Sequence, residues 1–378
     1  MSLADSIAQT GATLRGATGR AQPAPAYRLT LDGRDISSKF NNRLLSLKLT
    51  DNRGFEADQL EIDLDDSDGL LAMPDRGVTI EVALGWAGSA LIDKGSYVVD
   101  SVRYKGAPDK LTLSAKSANL RAGLSTKKEK SWNGQKISAI VESIAAANDL
   151  TPRVSPKLAD VLIEHVDQTN ESDVNLLTRL AQDYDAIATV KKGMLLFMPI
   201  GEAESATGTP FPTSTVQRNW GDSFSFSVSA KETFKAVKAY YQNLKDAAQP
   251  SITLDEDGIT DDDGKPTTKS SGKSISKTTE SSKAKSSSDS KTKVLRHTYP
   301  TRDVAVRAAQ AEWQRLHRGA AQLSLTAVRA RPDLFPELPV VVTGFKPAID
   351  ELEWIITKCT HNLSASGFST AFEFELKP

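Results

Sequence analysis

The densest group of side chains that could do chemistry lies between Glu164 and Asp173, in the run EHVDQTNESD. Ser172 could act as a nucleophile if His165 accepted its proton. Asp167 or Glu171 would then orient the imidazole. A site of this kind would make the chain a hydrolase.

The same segment can also serve a structural purpose, because an amphipathic helix is predicted directly after it, from about Ser172 to Tyr184. Serine, asparagine and aspartate ahead of a helix accept hydrogen bonds from its first N–H groups, and carboxylates suit the positive end of its dipole. We therefore interpret the segment as a cap and a fixed loop, with contact to a partner protein as an alternative role. The residues of this structural signature are His165, Gln168, Glu171, Ser172 and Asp173.

Other catalytic or ligand-binding signatures are missing from the sequence. It contains no HExxH, CxxC, GxSxG or P-loop motif. Its 4 histidines are widely spaced, and its single cysteine, Cys359, excludes a disulfide within the chain. The acidic runs Asp65-Asp66 and Asp261-Asp262-Asp263 are interpreted as loop tips, although the second faintly resembles a calcium-binding loop. The sequence thus predicts no catalytic residue, no cofactor and no metal site.

Charge and hydropathy argue against several classes of partner. The 47 Lys and Arg residues nearly balance the 48 Asp and Glu residues, so the net charge is −1, which argues against nucleic acid as the main partner. No stretch approaches the roughly 18 apolar residues that a membrane-spanning helix needs. The N-terminus lacks the apolar core of a secretory signal. We expect a chain made in the cytosol, with a flexible N-terminal tail at residues 1–26.

The elements that must position the signature fall into three predicted domains. Alternating apolar residues predict a first antiparallel β-barrel domain at residues 27–125. Two amphipathic helices and two short strands predict a small α+β domain at residues 126–205, with Asn133 as the N-cap of its first helix. Strands return in residues 206–378, around a helix at 301–318, and predict a second barrel. The Ser- and Lys-rich stretch at about 246–293 is predicted to be a disordered insertion.

The two β regions carry similar patterns near their ends. GVTIEVAL, YVVDSVRY and LTL follow one another in the first, and PVVVT, WIITKCTH and FEF do so in the second. Each series has a strand, then a strand opened by an aromatic residue, then an alternating strand suited to a hairpin. The pattern favours two related barrels that flank the α+β domain.

The run EHVDQTNESDVNLLTRLAQDYDAIATVKKGMLLFMPIG, residues 164–201, resembles the late control protein D family of contractile-tailed phages and the N-terminal part of VgrG spike proteins. The core of the pattern is His-x-x-Gln-x-x-Glu-Ser-Asp, followed by Leu-x-x-Leu-Ala. It is matched here by His165, Gln168, Glu171, Ser172, Asp173, Leu177, Leu180 and Ala181. The runs WNGQKISAIVESIAAANDL and RAAQAEWQRLHRGAAQLSL also resemble that family, and the likeness covers roughly residues 27–376 apart from the Ser/Lys-rich stretch.

This resemblance implies a structural protein, the baseplate hub of a contractile injection system such as a phage tail or an R-type tailocin (pyocin). Proteins of the family form homotrimers in which two tube-like barrels per chain make a pseudo-sixfold ring. The implied partners are the sixfold tail tube protein and the threefold central spike protein, with the tape measure and other baseplate proteins as further candidates. The implied location is the host bacterial cytoplasm during assembly, then the tail baseplate of the particle.

Two alternatives stay open at the level of sequence. A cell-wall hydrolase delivered by the tail would require the cluster from His165 to Asp173 to line a cleft. A VgrG-like spike would continue into a long β-helical needle. Here the last predicted strand ends just before Pro378, so we expect any needle to be a separate polypeptide.

Overall fold

The structure is a computed structural model that describes residues 24–40, 42–117, 122–191, 193–201, 209–219, 221–228, 234–242, 249–261 and 292–377. Most of the predicted flexible tail, residues 1–23, lies outside the described residues. The first strand begins at Pro25, so the end of the predicted tail at residue 26 is already part of a sheet.

The described elements follow one another as strands β1–β22 and helices α1–α7. The strands are β1 (Pro25–Leu31), β2 (Arg34–Asp35), β3 (Leu44–Asn52), β4 (Gln59–Asp65), β5 (Thr79–Trp86), β6 (Ile92–Lys105), β7 (Lys110–Ser117), β8 (Lys127–Lys136), β9 (Thr151–Val154), β10 (Leu162–Ser172), β11 (Ala186–Lys191), β12 (Met194–Pro199), β13 (Ser214–Gln217), β14 (Ser223–Val228), β15 (Ala236–Tyr241), β16 (Ser251–Asp255), β17 (Gly258–Asp261), β18 (Thr292–Tyr299), β19 (Ala321–Ala327), β20 (Pro339–Thr343), β21 (Glu353–Ser364) and β22 (Gly367–Leu376). The helices are α1 (Ser37–Phe40), α2 (Ala122–Ser125), α3 (Ile137–Ala146), α4 (Pro156–Ala159), α5 (Asp173–Asp183), α6 (Arg302–Arg318) and α7 (Pro347–Asp350).

The first barrel is formed by β1 and β3–β7, in the spatial order β1-β5-β6-β7-β4-β3, and every neighbouring pair is antiparallel. Apolar and polar side chains alternate along its strands as the sequence predicts, because one face of the sheet packs in the core and the other faces solvent. Leu47 and Leu49 of β3 and Leu60 and Ile62 of β4 are fully buried in its core.

The second barrel is formed by β13, β14 and β19–β22, in the order β13-β20-β21-β22-β19-β14. If the six strands of each barrel are numbered in chain order, both barrels have the same spatial order of strands. Trp354, Phe372 and Phe374 fill the core. One pair differs from the predicted antiparallel arrangement: β13 runs parallel to β20, whereas β1 runs antiparallel to β5.

The two barrels share one sheet, because β3 of the first pairs antiparallel with β21 of the second. The result is a continuous sheet of 13 strands within the described residues. The predicted fold class, two antiparallel barrels with a small α+β domain between them in the chain, is confirmed, and the fusion of the sheets is an addition that local patterns did not reveal.

The α+β region holds a two-stranded sheet, β8 with β10, and a three-stranded sheet of β9, β11 and β12. Helices α3 and α5 share one apolar core with these strands. The prediction that Asn133 caps the first helix is wrong. Asn133 lies within β8, and α3 begins after Lys136 without a side-chain cap, because the strand runs straight into the helix.

A fourth compact unit lies between β14 and β19, where β15–β18 form a four-stranded sheet covered by α6. The predicted disordered insertion at about 246–293 is therefore too long, since β16 and β17 lie inside its start and β18 already begins at Thr292. Ile252 and Leu254 are buried against Ala305 and Ala309 of the helix, and this apolar alternation outweighs the polar composition of the stretch. Residues 262–291 lie outside the described residues. Across the described ranges, no helix has both the length and the apolar character required to cross a membrane.

Candidate functional site

The signature segment lies on β10 and on the first turn of α5. β10 pairs antiparallel with β8, and the ladder is interrupted by a bulge between Gln168 and Glu171. Asn170 sits in this bulge with a φ of 49°, a left-handed conformation that asparagine tolerates better than most residues. The bulge and the helix start leave Gln168, Ser172 and Asp173 buried, while His165 stays exposed.

Asp173 is the charged centre of the buried half of the signature. Its carboxylate accepts hydrogen bonds from Gln168 (Nε2–Oδ1 2.9 Å) and from Lys128 of β8 (Nζ–Oδ2 2.5 Å). Asn148, just beyond α3, lies 3.5 Å away through Nδ2. A carboxylate in the first turn also suits the positive end of the helix dipole. Asp173 thus connects β8, β10 and α3 to the start of α5.

Ser172 and its neighbours hold the connection from strand to helix. The Ser172 hydroxyl accepts a hydrogen bond from the backbone N–H of Asn175 at 3.2 Å, which is N-cap geometry. Gln168 donates to the carbonyl of Glu171 at 3.0 Å, and the Glu171 carboxylate pairs with Arg179 at 2.7 Å. A role for these residues in contacting a partner protein stays a prediction.

His165 lies on the exposed face of the same ladder. Its Nδ1 is 2.5 Å from Asn133 Oδ1 and its Nε2 is 3.0 Å from Asp167 Oδ2. The hydroxyl of Ser131, together with His165, lowers the pKa of Asp167. Ser172 lies at the other end of the ladder, opposite Lys127, and the rise of an extended strand places it about 20 Å from His165. The structure therefore does not bring the hypothetical base and nucleophile together.

Replacing Ser172 by alanine is expected to lower the free energy of unfolding by about 1 kcal/mol, because one N–H of α5 loses its acceptor. Chemical denaturation of the purified chain measures this change. Ser143→Ala is the matched control, since Ser143 is exposed on α3 and its replacement should stay within about 0.5 kcal/mol. Equal effects of the two variants would contradict the capping role.

A buried ionic network lies where the barrels meet the α+β region. Arg53, next to β3 of the first barrel, pairs with Glu337 and with Glu375 of the second barrel (Nη1–Oε1 2.5 Å). Glu375 is also 3.4 Å from Nε of Arg318 at the end of α6, and Arg318 binds both carboxylate oxygens of Asp185, with Nη1–Oδ2 at 2.5 Å. Burial raises the pKa of Glu337, an effect that Arg53 opposes. The network links four units of the chain.

A second cluster joins the first barrel to β11. Lys191 pairs with Asp58 and with Asp51 (Nζ–Oδ1 3.0 Å). Burial alone would lower the pKa of Lys191, but the two carboxylates outweigh it, so the pKa lies above its ordinary value. A cavity of about 380 Å³ adjoins the cluster and is lined by these residues and by apolar side chains of β12.

The acidic runs singled out in the sequence have local partners. Asp65 accepts a hydrogen bond from the backbone N–H of Ser67, and Asp66 accepts one from that of Leu71. Asp261 pairs with Arg302 (Oδ1–Nε 3.0 Å). Among the residues that the structure describes, no group of three or more His, Cys, Asp or Glu side chains is arranged to hold a metal ion. Asp262 and Asp263 lie outside the described residues.

Comparison with known proteins gives a consistent result at the level of sequence. Residues 53–367 match the family described as phage tail baseplate hub (GPD). The chain is 41% identical over 377 residues to a probable baseplate hub protein of Escherichia phage 186, covering 97% of this chain and 96% of that protein. It is 39% identical over 362 residues to a probable baseplate hub protein of Escherichia phage P2, covering 93% of each.

Solved structures show the same fold at low sequence identity. A tail protein from Neisseria meningitidis MC58 superposes with a TM-score of 0.62 at 14% identity, covering 93% of this chain and 96% of that one. A component of the type VI secretion system of E. coli, the c3393 protein, gives a TM-score of 0.51 at 13% identity and covers 93% of this chain and 77% of that one.

Proposed function

The chain belongs to the phage tail baseplate hub (GPD) family, and we propose that it acts as a homotrimeric adaptor between a sixfold tail tube and a threefold central spike. As a member of this family it is a component of the tail baseplate. We infer further that it is made and assembled in the host bacterial cytoplasm, whether the particle is an infectious phage or a tailocin.

The observation that carries the proposal is the presence of two barrels with one strand order in a single chain. A ring of three such chains presents six similar barrels to a tube protein with sixfold symmetry. The remaining surface repeats only three times and suits a threefold spike. A head-to-tail interface of this kind closes when the rotation between neighbours completes a ring.

The rigid connection between the barrels supports the same role. β3 and β21 pair over seven residue positions, from Lys358 opposite Asn52 to Ser364 opposite Ser46. Arg53, the residue after β3, also pairs with Glu337 and Glu375 of the second barrel. A hub that transmits load from tube to spike requires its two barrels to keep one relative orientation.

The copy number of the chain in complex with its spike protein tests this proposal. Light scattering coupled to size-exclusion chromatography should give three hub chains and three spike chains per complex. Each component analysed alone is the control. A stable complex with any other ratio would contradict the adaptor role.

A further inference from the structure

Several strands of the two barrels correspond residue by residue, so the pairing of β3 with β21 inside the chain predicts a second pairing of the same kind. β6 and β21 each pair with the following strand through a ladder whose register shifts once, between Val99 and Ser101 in β6 and between Ile356 and Lys358 in β21. The carbonyls of Val99 and Ile356 each accept a hydrogen bond from a residue with positive φ, Gly77 (91°) and Glu337 (74°) respectively. Val99 therefore corresponds to Ile356, and Tyr104 to His361.

β3 and β14 correspond in the same way, through the residues that lie opposite them on neighbouring strands. Leu49 lies opposite Leu60 of β4, and Phe226 lies opposite Leu323 of β19. Leu60 and Leu323 in turn lie opposite equivalent residues of β7 and β22, Ala115 and Phe374. Leu49 thus corresponds to Phe226, and Leu47 to Phe224.

The joint inside the chain uses the second half of one long strand. The first residues of β21, from Glu353 to Ile355, pair with β20, and the later residues, from Lys358 to Ser364, pair with β3. β6 is likewise longer than the strand that pairs with its first part. Its first part, from Ile92 to Val98, pairs with β5. Beyond Val99, no described strand pairs with that edge of β6, and none pairs with the outer edge of β14.

Burial shows the same difference between the joint and its equivalents. Cys359, His361, Leu47 and Leu49, which form the joint, are all 0% exposed. Two of their four counterparts are exposed, Tyr104 at 44% and Phe224 at 41%, whereas Val102 and Phe226 are half-buried. Val228, at the end of β14, is 64% exposed. Five of the 12 exposed large apolar side chains in the described part of the chain lie on these edges or on the loop after β4: Leu70, Met73, Tyr104, Phe224 and Val228.

The loop after β4 supplies a second contact of the same kind. Its counterpart after β19 touches the first barrel, where Ala330 accepts a hydrogen bond from Trp86 Nε1 at 3.2 Å and Leu334 accepts one from Lys94 at 3.4 Å. Among the described residues, no hydrogen bond joins the loop after β4 to the second barrel, and its Leu70 and Met73 are exposed. A second copy of the chain would cover both.

We propose that β14 of one copy pairs antiparallel with the outer half of β6 in the next copy, in the register of the β3–β21 joint. In this register Val102 lies opposite Val228, Arg103 opposite Ser227, and Tyr104 opposite Phe226. The inference rests on the proposed trimer and specifies its interface. The ring then contains two kinds of joint, one within each chain and one between chains, and the sheet is continuous through both.

Disulfide trapping tests this register in the full chain assembled with its spike protein. Arg103 and Ser227 are exposed, and antiparallel partners have Cα separations that a disulfide can span. Oxidation of the Arg103→Cys/Ser227→Cys variant should convert the monomer band of a non-reducing gel into a covalent trimer, through a covalent dimer. Arg103→Cys/Ser223→Cys is the matched control. It shifts one cysteine by four residues on the same face, about 13 Å along the strand, which is beyond disulfide reach.

The outcomes separate the interface from the trimer itself. Light scattering of the same samples before oxidation reports whether three chains assemble. A trimer that is trapped by the Ser227 pair and not by the Ser223 pair supports the proposed register. A trimer that is trapped by neither pair, or equally by both, overturns the register and leaves the adaptor role intact. A complex without three chains overturns the adaptor role itself.

Discussion

Replacing Arg318 by methionine should lower the free energy of unfolding by about 3–5 kcal/mol, because it leaves the buried carboxylate of Asp185 without its cation, although Glu375 keeps its pair with Arg53. Arg318 is buried and donates to Asp185 at 2.5 Å, and its Nε lies 3.4 Å from Glu375. Methionine keeps most of the side-chain volume, so the loss reflects charge more than packing. Chemical denaturation monitored by tryptophan fluorescence measures it.

Two controls separate the buried network from ion pairs in general. Arg331→Met removes a pair with Asp333 that is partly exposed to solvent, and pairs near the surface contribute about 0–1 kcal/mol. Adding Asp185→Leu to Arg318→Met should restore much of the lost stability, because a buried pair can often be replaced by apolar residues without loss. A loss of stability no greater for Arg318→Met than for Arg331→Met would show that the network does not hold the units together.

Replacing Val228 by aspartate should weaken the association of the chains into a ring while each chain stays folded. Val228 is mostly exposed in the single chain, so the free energy of unfolding should change by no more than about 0.5 kcal/mol. At the proposed interface the carboxylate would face Val102 and lose its water. A penalty of about 3 kcal/mol per interface would weaken association about 100-fold. Analytical ultracentrifugation over a concentration series measures this change in the association of the chains.

Val341→Asp is the matched control for that variant. Val341 is also a strand valine with an exposed side chain, but it lies on β20, away from β14 and β6. Its replacement should leave the assembly unchanged. If Val341→Asp and Val228→Asp weaken association alike, or neither weakens it, the apolar edge of β14 does not form the interface.

Local patterns in the sequence were enough to predict most individual elements. Period-two alternation predicted the strands of both barrels, and the apolar face after Ser172 predicted α5 to within about two residues. The similarity between the ends of the two β regions also matches the structure, since the three paired runs fall on β5 and β20, β6 and β21, and β7 and β22. These signals depend on neighbours in the chain, which is why the sequence alone contains them.

The features that local patterns missed depend on contacts between distant residues. No periodic pattern in the sequence indicates the pairing of β3 with β21 or the parallel pairing of β13 with β20. The same holds for the ion pair between Arg318 and Asp185, which are 133 residues apart. Asn133 matched an N-cap preference but lies in β8, because pairing with β10 extends the strand to the start of α3. The signature residues belong to a motif that the sequence shows. Arg53 and Glu337 belong to no motif, so the sequence does not distinguish them from other charged residues.

A cryo-EM map of the assembled baseplate would show the number and order of the barrels. We expect a threefold ring of six barrels, in which each of three chains contributes two adjacent barrels and β14 of one chain continues into β6 of the next. A ring built from six copies of the chain, or one in which the barrels of a single chain do not lie side by side, would contradict this expectation.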